Sequence, residues 1–175
     1  DLLISDEFHR AAPGGSGGVK AIGNYAPGMM PSKLAKAQGY AEIIYLDAKT
    51  STYVEEVGAA NFFCIKDSVL YTPELTGTIL PGITRDSIIA LARHMGYEVV
   101  EEKVSAEFAM SADEAFCCGT AAVISPIGSI THADTKVTYG DGTPGTITKA
   151  LYDKLTGIQN ETEDDMFGWL HEVPL

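Results

Sequence analysis

Lys20 lies in the run Gly17-Gly18-Val19-Lys20-Ala21-Ile22-Gly23-Asn24-Tyr25, and the acidic pair Glu55-Glu56 follows downstream. A reachable, partly deprotonated lysine amine condenses with an aldehyde to an imine. Burial and nearby positive charge favour the neutral amine, while a close carboxylate opposes it. A carboxylate against an aromatic ring nitrogen keeps that nitrogen protonated and makes the ring an electron sink. The glycines leave room for a planar ring beside the backbone. By itself a lone lysine among glycines usually means a solvated loop. The run does not suit a nucleotide-phosphate loop, which requires Gly-Lys-Ser/Thr. Here Val19 separates Gly18 from Lys20, and Ala21 stands where the hydroxyl is needed.

A second element of chemistry is an anion site. Pro81-Gly82-Ile83-Thr84-Arg85 precedes a strongly periodic helix. A helix start offers unpaired amides and a positive dipole end, so the N–H groups of Ile83 and Thr84 are placed to receive a phosphate. Gly82 permits close approach. Of the acidic pair, only one carboxylate can face a given side of a regular strand. Periodicity alone does not choose between Glu55 and Glu56.

These residues must be positioned by strands and helices in alternation. Residues 1–25 read as extended or loop. Pro31 to Gln38 reads as a short helix with Pro31 in its first turn and Gly39 as its stop. Strands are expected over 41–46 and 52–57, and a hairpin over 61–65 and 69–72 around Lys66-Asp67-Ser68. Ile88, Leu91, Ala92 and Met95 repeat at helical spacing, predicting a helix from about Arg85 to Met95 with Thr84 as N-cap and Gly96 at its end. A strand over 97–104, a short helix capped by Ser105, strands over 115–118 and 121–130, a turn at Asp141-Gly142 and a helix opened by Pro144 to about Leu155 complete the pattern. Interleaved helices and strands with hairpins give a mixed α/β (α+β) class.

The length suits one domain with its own core. With 45% apolar and 21% charged residues the chain is of ordinary globular composition. Its net charge of −12 repels nucleic acid and anionic membranes at long range. No apolar run approaches the roughly 20 residues that span a bilayer. The cysteines are Cys64, Cys117 and Cys118. Their odd number argues against a disulfide framework and for a reducing compartment, such as cytoplasm, chloroplast or mitochondrion. The adjacent pair would point to opposite faces of a strand. The four histidines, His9, His94, His132 and His171, are not spaced as metal ligands.

Several blocks then carry a resemblance. Glu56-Val57-Gly58-Ala59-Ala60-Asn61-Phe62-Phe63, Leu70-Tyr71-Thr72 and Leu80-Pro81-Gly82-Ile83-Thr84-Arg85 occur in order with compatible gaps. Upstream, His9 to Gly18 leads into Lys20. Downstream come Phe116-Cys117-Cys118-Gly119-Thr120-Ala121-Ala122, Gly157-Ile158-Gln159 and Trp169. Together they resemble the fold-type IV pyridoxal phosphate (PLP) enzymes, most closely the plant-type branched-chain amino acid aminotransferases. The resemblance spans nearly the whole chain but only part of that family's subunit. It implies that 1–175 is the large C-terminal, PLP-binding domain, a pseudo-barrel surrounded by helices, with the small N-terminal domain absent. In the family that domain gives an arginine to the cofactor phosphate and closes one side of the pocket.

The resemblance further implies roles. Lys20 becomes the Schiff-base lysine and the proton carrier. Glu56, rather than Glu55, meets the pyridine nitrogen. Tyr25 hydrogen-bonds the cofactor's phenolic oxygen, and Thr120 joins Ile83 and Thr84 at the phosphate. The turn Gly119-Thr120-Ala121 holds the substrate carboxylate, so Thr120 and Ala121 are substrate-binding candidates. Ala59 departs from the pattern, since many members carry a hydroxyl there. Ala122-Val123-Ile124-Ser125 replaces the redox Cys-x-x-Cys of some members, so no thiol switch is expected. The implied reaction is transamination of leucine, isoleucine and valine with 2-oxoglutarate, by a homodimer in the full-length protein. Rival readings are a D-amino acid aminotransferase, an aminodeoxychorismate lyase, or a scaffold fragment that binds no cofactor.

Overall fold

The structure is a computed structural model that describes residues 1–173. In chain order the strands are β1 (Leu2–Ser5), β2 (Glu42–Leu46), β3 (Val54–Val57), β4 (Ala60–Lys66), β5 (Val69–Pro73), β6 (Val99–Glu102), β7 (Glu114–Gly119), β8 (Val123–Pro126), β9 (Ser129–His132) and β10 (Thr135–Thr138). The α-helices are α1 (Ala26–Ala37), α2 (Ile83–His94), α3 (Ala106–Met110) and α4 (Thr146–Gln159), and a single 3-10 turn spans Ile22–Asn24.

One mixed sheet runs β10-β9-β1-β2-β3-β4-β5-β6 and branches at β4, which also pairs β7, with β8 beyond it. β1 is parallel to β2 and β9, while β3, β4 and β5 follow as antiparallel neighbours. Alternation along β4 divides the core. Phe62 and Cys64 face an interior cluster to which β1, β2, β3, β7 and β9 all contribute, the convergence expected of a barrel-like sheet. Phe63 and Ile65 face outward, under Ile88, Leu91 and Ala92 of α2 and Leu151, Leu155 and Ile158 of α4. Phe63 stacks on Phe116 with ring centroids 4.9 Å apart. Cys118 joins the outer cluster and Cys117 packs against the inner one, the opposite-face placement expected of adjacent residues on a strand.

Within residues 1–25, β1 is a short extended strand paired on both edges. Two expectations are corrected. The helix expected at Pro31 begins at Ala26, because Pro27 already occupies its first turn, and Pro31 lies in its interior. Thr84 is not the N-cap of α2. Gly82 holds that extended position with no side-chain cap, and Thr84 sits inside the first turn. Ser105 does cap α3, its hydroxyl oxygen accepting from Phe108 N–H at 3.0 Å.

Candidate active site

The lysine loop is ordered by its own polar groups. Asn24 is buried, and its Nδ2 donates to the carbonyls of Ser16 (2.6 Å) and Val19 (2.7 Å), while Ser16 Oγ donates to Asn24 Oδ1 at 2.7 Å. One amide side chain therefore clamps both sides of the turn that carries Lys20. Ala21 N–H closes back on Val19 O at 2.9 Å. Lys20 itself is exposed. Its side chain lines a cavity of about 550 Å³ together with Ala59, Ala60, Gly119, Thr120 and Ala121. Lys20, Thr120 and Ala121, singled out from the sequence, thus line one space, with Ala59 on the same wall.

Glu56 lies deeper, on β3, 2% exposed. Its Oε1 accepts from Leu80 N–H at 3.1 Å and from Asn61 Nδ2 at 3.3 Å. Its Oε2 is 2.5 Å from Arg10 Nε. Burial raises the Glu56 carboxyl to about 7, opposed by the Arg10 charge and the Leu80 amide. Glu55 is also buried, at 5%, and its Oε1 accepts from the Thr78 hydroxyl. Burial raises its carboxyl too, with the Thr78 bond and Arg10 opposing.

The expectation that the two glutamates face opposite sides of a regular strand is corrected here. The β2–β3 register jumps between Tyr45, opposite Glu56, and Leu46, opposite Val54, so Glu55 is the extra residue of a bulge. The bulge lets Val54 and Val57 share the inner cluster, and it leaves both carboxylates in the field of Arg10.

Asn61 links this floor to the start of α2. Its Nδ2 also donates to Leu80 O at 2.9 Å, and a Cβ at Gly82 would collide with its Oδ1. The first-turn N–H groups of α2, including those of Ile83 and Thr84, lie beyond reach of the helix's own carbonyls. Ile83 lines a separate groove together with Leu155 and Trp169. Tyr25 is 37% exposed at the junction of the 3-10 turn and α1 and does not line the Lys20 cavity.

Arg10, Asn61 and Thr78 were not singled out from the sequence. Asn61 stood inside a recognised block, but nothing local marks it as a bridge. Arg10 also stood inside a recognised block, His9 to Gly18, and is otherwise one of few cations in an acidic chain, a partner for whichever carboxylate is buried.

The amino-transferase class IV family model matches residues 2–130. The chain is 50% identical over 169 residues to branched-chain-amino-acid aminotransferase 3, chloroplastic, of Arabidopsis thaliana, covering 97% of this chain and 41% of that protein. It is 44% identical to a probable branched-chain-amino-acid aminotransferase of Staphylococcus epidermidis, covering 99% of this chain and 50% of that protein. The chain thus spans between about two fifths and one half of the length of these relatives. The crystal structure of the Escherichia coli branched-chain amino acid aminotransferase superimposes with a TM-score of 0.89 at 39% identity, over 98% of this chain and 55% of that one. The PLP-form of the Thermobaculum terrenum branched-chain enzyme gives 0.87 at 33% identity, over 97% of this chain and 54% of that one. The chain belongs to the class IV aminotransferase family.

Proposed function

We propose that this chain is the large, cofactor-binding domain of a PLP-dependent branched-chain amino acid aminotransferase. The observation that carries the reading is the pairing of an exposed lysine on a clamped glycine loop with a buried, hydrogen-bonded glutamate beside a helix start. The donor set fits the cofactor chemically: an amine for the aldehyde, a carboxylate for the ring nitrogen, and free amides for the phosphate. Leu80 and Asn61 hydrogen-bond one oxygen of Glu56 and Arg10 is ion-paired with the other, which leaves acceptor capacity for a ring nitrogen.

When bound, PLP supplies the electron sink that makes the α-hydrogen of an amino acid acidic. Lys20 would hold the cofactor's aldehyde through Nζ and, when free, would take the α-proton at Nζ and return it. Glu56 would keep the proton on the ring nitrogen. The amides of Ile83 and Thr84 and the Thr120 hydroxyl would hold the phosphate, and Tyr25, outside the Lys20 cavity, would reach the phenolic oxygen from the start of α1. The Gly119-Thr120-Ala121 turn holds the substrate carboxylate. Substrates are leucine, isoleucine or valine with 2-oxoglutarate, and the branched-chain part of this choice is supported by the relatives, which are branched-chain-amino-acid aminotransferases.

The full-length protein adds an N-terminal domain and works as a homodimer. Exposed Val19, Ile22, Met29, Met30 and Leu34 surround the lysine loop and α1 and support a covered face there. Among the described residues no helix is long and apolar enough to cross a membrane. The test is to load the full-length protein with PLP and follow glutamate formation from each branched-chain amino acid. Visible absorbance from a lysine-bound cofactor together with turnover supports the proposal. Absence of such absorbance supports the scaffold reading instead.

A further inference from the structure

We propose that Arg10 is a positioning residue that orients Glu56 and docks the lysine loop with the same guanidinium. Arg10 is 8% exposed and reaches three segments far apart in sequence. Its Nε lies 2.5 Å from Glu56 Oε2 on β3. Its Nη2 donates to Gly17 O, in the lysine loop, at 3.3 Å and to Thr78 O, ahead of α2. The loop and the 76–80 segment are in backbone contact here, since a Cβ at Gly17 would collide with Thr78 O. Arg10 therefore fixes the distance between the strand that carries Glu56 and the loop that carries Lys20.

A simple charge-neutralising role explains less. Arg10 pairs with Glu56, its charge also acts on buried Glu55, and its Nη2 donates to two loop carbonyls. A planar fork of five N–H donors suits this task, and a lysine ammonium does not. His9, the neighbouring titratable group, meets Leu46 O at 3.1 Å, and its charge and that of Asp47 act on Glu55. With Leu80 N–H and Asn61 on one oxygen and Arg10 on the other, these contacts favour one orientation of the Glu56 carboxylate. The inference rests on the assignment of Glu56 to the ring nitrogen.

Two readouts on the full-length protein test it. The first is the pH midpoint of the visible absorbance of the PLP-loaded protein, in wild type, Arg10→Gln, Glu56→Gln and the double variant. Each single variant is expected to raise the midpoint by about one pH unit. Loss of the ionised Glu56 weakens the ring's positive charge and leaves the lysine-bound nitrogen more basic. The double variant should shift no further than Glu56→Gln alone, because Arg10 acts through Glu56. The second is amide hydrogen exchange without cofactor, where Arg10→Gln should speed exchange over residues 19–25 by about tenfold. Arg10→Lys keeps the charge but not the fork. It is expected to restore most of the midpoint while exchange stays fast, and it serves if Arg10→Gln does not fold. A shifted midpoint in Glu56→Gln with none in Arg10→Gln overturns the proposal, as does wild-type exchange in Arg10→Lys. An unmoved midpoint in Glu56→Gln removes the ring-nitrogen assignment itself, and the Arg10 role with it.

Discussion

Glu56 is 2% exposed and held by Arg10, Leu80 N–H and Asn61, whereas Lys20 is exposed and its side chain has no partner among the described residues. The carboxylate is set by the sheet before any ligand arrives. The amine is set only through its backbone, by the Asn24 clamp. A group that must hold one proton at one atom gains from being fixed. A group that must anchor, detach and carry a proton gains from a free side chain on a fixed turn.

If that division is right, breaking the mobile half has the largest effect. Lys20→Ala in the PLP-loaded full-length protein should lower turnover by at least about a thousandfold, since both anchor and proton carrier are lost. Activity within tenfold of wild type would remove Lys20 from the chemistry. Next comes the fixed half. Glu56→Gln should cut turnover by about a hundredfold or more while cofactor remains bound. Glu55→Gln is the sharper comparison, because both glutamates are buried near Arg10. Its effect should be less than about tenfold, the size of one weakened electrostatic neighbour. A larger effect for Glu55→Gln than for Glu56→Gln would reverse the assignment of the pair.

The fixed half also has a pH signature without cofactor. Burial raises the Glu56 carboxyl from 4.5 to about 7, so between these pH values the folded chain holds a proton that the unfolded chain releases. Stability therefore falls as pH rises through that window, by an amount on the order of 3 kcal/mol at most. Glu55 contributes with the same sign. Denaturant unfolding at pH 5, 6 and 7 should show the decline, and Glu56→Gln should flatten most of it. A stability that rises across the window would contradict the burial of Glu56. The smallest effect is at the rim: Thr120→Val should weaken PLP binding by about tenfold, the loss of one charge-assisted hydrogen bond. Unchanged affinity would take Thr120 off the phosphate.

The same division decided what the sequence disclosed. α2 was legible because Ile88, Leu91 and Ala92 obey helical periodicity and bury one face. The hairpin of β4 and β5 was legible from its apolar runs around Lys66-Asp67-Ser68. Lys20, Thr120 and Ala121 were found by ordered motifs, and they share one cavity. The bulge at Glu55 was not legible, because it arises from the pairing of β2 with β3 and not from either strand alone. Arg10 was missed for the same reason: its partners are 46, 7 and 68 residues away, and only the folded sheet brings them together. Thr84 seemed a cap because its side chain could serve, yet Gly82 takes the extended position one turn-start earlier.

The central claim is that Lys20 is the residue to which the cofactor attaches. Reduction of the PLP-loaded full-length protein with borohydride fixes the attachment irreversibly, and peptide mapping then locates it. The account predicts the label on Lys20, within the peptide that contains Gly17 to Tyr25. A label on Lys33, Lys36 or Lys103 would contradict it.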